Sequence, residues 1–369
     1  MITFHEICFD RLTPGTHPGA SEPAESDPNR HGVALVAADR GRAYLDRPPA
    51  NPSRLITSRS DPASASIWQS AYGLETTESN AGSSDAMAGS AAIHLFVIDP
   101  QNDFCDIPAE RVRREPSEVA ALQPALPVPG AHQDMVRLAA FIDRAGHRLD
   151  RIHVTLDSHH PLHIAHPSWW LDSDGQPPAP FTAIQASEVR QGKWRASNTA
   201  WQDHSQRYVD ALEVGGRYTL IVWPEHCLIG HWGHNVHPDV AHRLDRWARD
   251  TMQTVDYIFK GSNPFTEHYS AVRAEVVEPD DPGTQLNKRL LDDLREAGSV
   301  IVAGEALSHC VANTLRDVAC DLGPAAMARF TLLTDCTSSV AGFENLGTEF
   351  LHELTALRMK TARSVDLFR

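Results

Sequence analysis

A thiol, an ammonium and a carboxylate stand where short apolar runs end: Cys310 just after SVIVAGEALSH, Lys260 closing VDYIFK and Asp99 closing IHLFVID. A thiol that attacks an unactivated amide needs a partner that removes its proton and returns it to the departing amine, and one carboxylate can do both. Asp99 is the candidate for that role. Lys260 would hold the carboxylate in place and favour the negative charge shared between carboxylate and thiolate. Cys310 falls in HCVANTLRDVACDLG, where Val311, Leu315, Val318 and Leu322 share one helical face that ends at Gly323-Pro324. The thiol is therefore expected in a first helical turn, where unpaired N–H groups and the helix dipole favour the thiolate and Ser308 can cap the turn. Each residue alone also has a plain structural reading. A strand-terminal Asp often caps a helix, Lys is usually solvated, and a cysteine is often a buried packing residue, which suits Cys320 and Cys336.

A second constellation follows two other apolar runs. Asp157 and His159 lie two residues apart at the end of DRIHVTLD, and His226 comes two residues after YTLIVWP. One carboxylate and two imidazoles suit a divalent transition metal, zinc first and manganese or iron as alternatives, with positions left open for water or substrate. His160, His163, His166, His231, His234 and His237 crowd the same stretches, so the choice within the cluster stays open. The competing reading is a histidine-rich loop that packs and hydrogen-bonds.

The elements that must position these groups are legible from residue 90 onward. Apolar runs of strand length (IHLFVID, DRIHVTLD, YTLIVWP, VDYIFK, SVIVAGEA, FTLLTDC) are separated by stretches such as DMVRLAAFIDRAG and LNKRLLDDLREAG, which carry apolar residues at three- and four-residue steps and stop at Gly. That is βαβ repetition. Connection rules then predict an α/β fold, a three-layer α/β/α sandwich around a mostly parallel, Rossmann-like sheet. In such sheets ligands bind at the carboxyl ends of the strands, which is where the chemistry-bearing residues fall.

Composition narrows the partners. The 369-residue chain has a formal net charge of −15, which opposes binding to a polyanion, so a small molecule is expected rather than nucleic acid. No apolar run reaches the length of a membrane span, and MITFHEICFD lacks a basic-then-apolar leader, so a cytoplasmic protein is expected. Six cysteines without a C-x-x-C pair resemble neither a disulfide framework nor a zinc finger. Residues 1–90 are rich in Pro, Ser, Ala, Gly and Asp and read as a loosely structured extension, leaving 91–369 as the globular domain. Within that domain a Trp-rich segment at about 166–215 is longer than a typical connection and reads as an insertion, either packed or folded over the site.

In order and spacing, FVIDPQNDF, DSHHPLH, WPEHCLIGHWGHNVHP, FKGSNPFTEHYSA and VIVAGEALSHCVANTLRDV resemble the signatures of isochorismatase-like cysteine hydrolases, nearest to nicotinamidases, over roughly residues 92–345. The resemblance implies that Asp99, Lys260 and Cys310 form a catalytic triad, and that Asp157, His159 and His226 bind a metal whose open position accepts the pyridine nitrogen of nicotinamide. It further implies a cis Glu305–Ala306 peptide, an oxyanion hole from the N–H groups of Ala306 and Cys310, ring contacts from Phe104, Trp223 or Tyr269, and self-association into a homo-oligomer. The expected reaction is hydrolysis of nicotinamide to nicotinate and ammonia through a cysteine thioester. Alternatives are an N-carbamoyl or ureido acid hydrolase of the same family, or a non-catalytic binding protein on this fold. The chain departs from the nicotinamidase pattern at Ser158, at Ser308-His309 and at Glu305, which stands where an aliphatic residue is usual.

Overall fold

The computed structural model describes residues 92–112, 122–214 and 219–369. The extension expected over 1–90 lies outside the described residues. In chain order the elements are β1 (Ile93–Ile98), α1 (Ala131–Ala145), β2 (Arg151–Asp157), β3 (Trp170–Leu171), β4 (Ala183–Ile184), α2 (Ala186–Arg190), β5 (Arg195–Ala196) and α3 (Gln202–Val214). They continue with β6 (Leu220–Ile221), α4 (Pro238–Thr251), β7 (Asp256–Lys260), α5 (Lys288–Glu296), β8 (Ser299–Gly304), α6 (Ala312–Leu322), β9 (Phe330–Leu333), α7 (Glu344–Ala356) and β10 (Lys360–Ala362).

Six strands form one sheet in the order β10, β9, β8, β1, β2, β7, and every neighbouring pair is parallel. Side chains alternate across a strand, so the central strands must be apolar on both faces. Along β1, Leu95 and Val97 enter a core built with Met135 and Leu138 of α1 and Leu244 of α4. Phe96 and Ile98 enter a second core with Leu290 of α5, Leu315 of α6 and Phe350 of α7. Helices therefore cover both faces, which is the expected three-layer α/β/α arrangement. At the end of β8, Gly304 has φ +120°, and a Cβ there would lie 1.9 Å from the Ile98 carbonyl oxygen. Only glycine lets β8 approach β1 so closely at the edge that carries the site.

Two strand expectations need correction. Among the described residues of YTLIVWP only Leu220–Ile221 is extended, and it pairs antiparallel with β4 in a separate two-stranded sheet. Its apolarity serves burial of Leu220, Val222 and Trp223 in the first core rather than a place in the central sheet. The sixth strand of the central sheet is instead β10, three residues long and partly exposed, with no apolar run to announce it.

The insertion folds on itself through β3 with β5, and its β4 pairs with β6 of the following segment. Its tryptophans are packing residues: Trp169 and Trp170 are buried, their indole N–H groups donate to Ser205 Oγ (2.9 Å) and the Ile164 carbonyl (2.6 Å), and Trp169 stacks on Trp201 at 4.6 Å. Cys105, Cys227, Cys310 and Cys336 are buried free thiols, and Cys320 is half-buried. Among the described residues no helix is long and apolar enough to cross a membrane.

Candidate active site

The carboxyl ends of β1, β2, β7 and β8 converge on Lys260. Asp157 and Lys260 are register partners across β2 and β7, and Asp99 follows β1 immediately. The Lys260 Nζ lies 3.0 Å from Asp99 Oδ2, 3.0 Å from Asp157 Oδ1, 2.8 Å from the His268 carbonyl and 3.7 Å from Cys310 Sγ. Burial alone would drive the proton off this lysine, but the Asp157 and Asp99 carboxylates outweigh it and hold the pKa well above the ordinary range. The ammonium is thus permanent. Asp99 itself has φ +43°, a left-handed backbone that costs on the order of 1–3 kcal/mol for a non-glycine residue. Thr155 of β2 holds it there: its hydroxyl donates to Asp99 Oδ1 at 2.6 Å and accepts the Asp99 N–H at 3.0 Å.

Cys310 sits in a wide π-helical turn, Leu307–Val311, that opens α6. The side chain is almost fully buried, and burial raises the thiol pKa well above the ordinary value against the opposing pull of Lys260. The helix-end effect expected to favour a thiolate is thus opposed by desolvation, and Asp99 is the hydrogen-bonding neighbour of the sulfur. Ser308 does not cap the turn either. Its hydroxyl accepts the Val340 N–H at 3.1 Å and meets His309 Nδ1 at 2.9 Å. The Glu305–Ala306 peptide is cis, as expected. Among the described residues the Ala306 N–H has no hydrogen-bond acceptor, and Ala306 lines the same cavity as the thiol.

That cavity is small and mostly apolar, walled by Phe104, Trp223 and Tyr269 together with Leu126, His309 and Val340. The three aromatic residues singled out in the sequence are thus brought together beside the sulfur, and the Trp223 indole N–H donates to Tyr269 Oη at 2.8 Å. His309 packs edge-on to Trp223 at 5.1 Å, and burial lowers its pKa to about 4, so the ring is neutral near pH 7.

Asp157, His159 and His226 meet beside Lys260, and His226 also lines the cavity that holds the thiol. The Asp157 Oδ2 lies 3.0 Å from His159 Nε2 and 3.4 Å from His226 Nε2, and one potential ligand atom from each of the three residues lies within 4.8 Å of the others. His159 Nδ1 faces the Gly261 carbonyl at 3.2 Å and His226 Nδ1 faces the Pro224 carbonyl at 2.8 Å. A carbonyl can only accept, so each Nδ1 presents its proton there and each Nε2 faces the Asp157 carboxylate, where a bound ion would take the place of a ring proton. Histidine metal ligands are oriented in this way. Gly261 has φ +82°, and a Cβ there would come within 2.9 Å of both Asp157 Oδ1 and the His159 ring, so the pocket has room only because the residue is glycine. The donor set fits a divalent transition metal. His163 and His166 pack tilted and edge-on against His159, and among the described residues His166 Nε2 is buried without a partner, so the crowding seen in the sequence is real.

Several site residues carry no sequence signal of their own. Gln101 grips the Asp157 backbone from both sides, accepting its N–H at 2.7 Å and donating to its carbonyl at 2.8 Å. Glu267 borders the cavity with its Oε1 3.9 Å from His159 Nε2, and burial raises its pKa. A glutamine two residues after Asp99, or a glutamate seven after Lys260, becomes readable only once the strand ends are superposed in space.

No protein-family model matches the sequence, and no curated protein matches it. Solved structures do resemble it. A nicotinamidase and pyrazinamidase from Acinetobacter baumanii is 18% identical, aligned over 76% of this chain and 100% of its own, with a TM-score of 0.47. The pyrazinamidase of Pyrococcus horikoshii in complex with zinc is 19% identical over 73% of this chain and 98% of its own, with a TM-score of 0.39. An isochorismatase-like hydrolase from Alkaliphilus metalliredigens is 15% identical over 75% and 97%, with a TM-score of 0.39. These are the kinds of protein that the sequence motifs resemble.

Proposed function

We propose that the protein is an isochorismatase-like cysteine hydrolase that cleaves a small amide, with nicotinamide as the preferred substrate. The observation that carries this reading is the buried Lys260 ammonium, 3.0 Å from Asp99 Oδ2 and 3.7 Å from Cys310 Sγ, at the edge of a cavity that also holds an unpartnered backbone N–H.

Asp99 takes the thiol proton as Sγ attacks the carbonyl carbon, so negative charge moves to the substrate oxygen. That oxygen meets the Ala306 N–H, with the Cys310 N–H as the second donor. Asp99 then passes the proton to the nitrogen, the C–N bond breaks and ammonia leaves a thioester on Cys310. A water molecule deprotonated by Asp99 attacks the thioester, the acid is released and the proton returns to the sulfur. Lys260 stays charged throughout and offsets the negative charge passing between carboxylate and sulfur. The aromatic walls Phe104, Trp223 and Tyr269 suit a flat ring. Asp157, His159 and His226 would hold a divalent ion, which would supply Lewis-acid attraction for a ring nitrogen.

Ammonia release over nicotinamide, pyrazinamide, N-carbamoyl amino acids and ureido acids tests the reading. Nicotinamide should rank first, and Cys310→Ala should lower kcat/KM by about 10⁴-fold or more. If carbamoyl or ureido substrates rank first, the pyridine assignment falls and the triad stands. If no substrate releases ammonia and the thiol resists alkylation, the protein is a binding protein on this fold.

A further inference from the structure

Glu305 is the least expected residue around the site, a fully buried carboxyl at the position immediately before Ala306. The groups around it come from three segments: Asp134 and Arg137 from α1, Cys105 and Asp106 from the stretch after β1, and Asp335, Cys336 and Ser338 from the loop after β9. Asp134 is also buried and has two donors, the Arg137 guanidinium and the Ser338 hydroxyl. Glu305 has one donor, the Ser338 N–H, which reaches Oε2 at 3.0 Å. Its other oxygen, Oε1, is buried and finds no donor, and the neighbouring side chain to which Glu305 is hydrogen-bonded is the Asp134 carboxyl. Two carboxyls that share a dry pocket cannot both be ionised, and a proton placed between them serves both. The guanidinium keeps the negative charge on Asp134, so the shared proton belongs on Glu305.

The second observation concerns what Ser338 does with its backbone. Its N–H donates to the Glu305 side chain, and its carbonyl accepts the Leu307 N–H at 2.8 Å. Ala306 is therefore bracketed on both sides by bonds to one residue, while its own N–H is left without an acceptor. A Val or Leu at 305 would fill the space but leave Ser338 N–H unbonded and one side of the bracket open.

We propose that Glu305 stands as a neutral carboxylic acid donating to Asp134, and that this pair, clasped through Ser338, is the positioning device that fixes the Ala306 N–H at the oxyanion site. The oxyanion part of this assignment rests on the hydrolase reading above; the shared proton and the clasp do not. Burial and the adjacent Asp134 raise the Glu305 pKa well above the usual carboxylate range, in keeping with a neutral form at pH 7.

The test compares Glu305→Gln, which keeps a neutral donor toward Asp134 and an acceptor for Ser338 N–H, with Glu305→Val, which keeps neither. Infrared spectra of the full-length protein labelled with ¹³C-glutamate should contain a protonated-carboxyl band at pH 7 that disappears in Glu305→Gln. Hydrogen exchange in the 304–310 segment should quicken at least about 10-fold in Glu305→Val and stay at the wild-type rate in Glu305→Gln. In turnover, Glu305→Gln should keep kcat within about twofold, whereas Glu305→Val should lose about 10- to 100-fold in kcat with little change in KM. Absence of the infrared band, or a Glu305→Gln protein as impaired as Glu305→Val, overturns the proposal. A protein with the band and the exchange difference but no amide turnover keeps the clasp and refutes the hydrolase reading.

Discussion

Asp99 and Asp157 end adjacent strands, are both almost fully buried, and each lies 3.0 Å from the same Lys260 ammonium, yet their acidities are pushed in opposite directions. Burial raises both. Around Asp99 only Lys260 and the Thr155 hydroxyl oppose that effect, and the pKa stays above the ordinary value. Around Asp157 the His159 and His226 rings join Lys260, and the pKa falls well below it. Two carboxylates with one shared cation thus become one whose hold on a proton is strengthened and one whose hold is weakened. Such divergence separates an acid–base group from a charge-holding one. The lysine does not distinguish them; the second neighbour does, a hydroxyl for Asp99 and a pair of imidazoles for Asp157.

The comparison is tested most severely by removing each charge in turn. Asp99→Asn should lower kcat/KM by about 10⁴-fold, because no other group within reach of the thiol is placed to move its proton. It should not weaken the fold. A raised folded-state pKa means the ionised form is disfavoured by folding, so the Asp99 contribution is present below the unfolded value and lost as pH rises through the folded one. At pH 7 Asp99→Asn should therefore melt at or above the wild-type temperature. Asp157→Asn should do the reverse. A depressed pKa contributes stability above the unfolded value that is lost as pH falls, so at pH 7 the substitution removes a charge the fold favours, at about 3 kcal/mol. That corresponds to a fall of roughly 6 °C or more in Tm. If both variants melt alike, the two carboxylates do not differ as their surroundings indicate. In wild-type enzyme the acid limb of kcat/KM should lie above the ordinary aspartate value of 3.8, because activity requires Asp99 to be ionised and its pKa is raised.

These two aspartates also show how far the sequence can be read. Both were visible because each closes a continuous apolar run, and buried parallel strands leave that mark. Lys260 and Cys310 were visible for the same reason. What separates the aspartates was not visible. Thr155 is an unremarkable β-branched residue within a strand, and its contact with Asp99 spans a sequence separation of 56. The burial of Cys310 was not legible either, because helix position is local in sequence, whereas desolvation depends on how the whole cavity closes. YTLIVWP misled in the opposite sense, since an apolar run of strand length records burial and does not say against what. His226 nonetheless reaches Asp157, although its segment is no part of the central sheet. The residue reading survived there while the reason given for its placement did not.

A smaller effect is expected at the imidazoles. In His226→Ala, Asp157 keeps Lys260 and His159 as partners, so the fold should persist while metal binding weakens by about 100-fold or more. Elemental analysis of wild-type and variant protein after dialysis against zinc or manganese checks this without reference to activity. Equal, negligible content in both would leave the imidazole pair as a purely electrostatic support for Asp157.

The smallest effect should come from the insertion, and it sets the outer boundary of the site. Trp201 is half-buried, stacks on Trp169 at 4.6 Å and meets Phe265 at 5.6 Å, and neither Trp201 nor Trp169 lines the cavity beside the sulfur. Trp201→Ala should therefore lose part of the transfer free energy of one aromatic ring, about 1–3 kcal/mol, with kcat/KM within about twofold of wild type. The route by which it would act further is specific. Phe265 lies two residues before Glu267, and Tyr208 of the insertion accepts the Glu267 N–H at 3.2 Å, so the insertion braces the loop that brings Glu267 and Tyr269 to the cavity. A kcat/KM that falls 10-fold or more with unchanged Tm would show that this bracing reaches the chemistry, and that the insertion belongs to the site rather than only to the core beneath it.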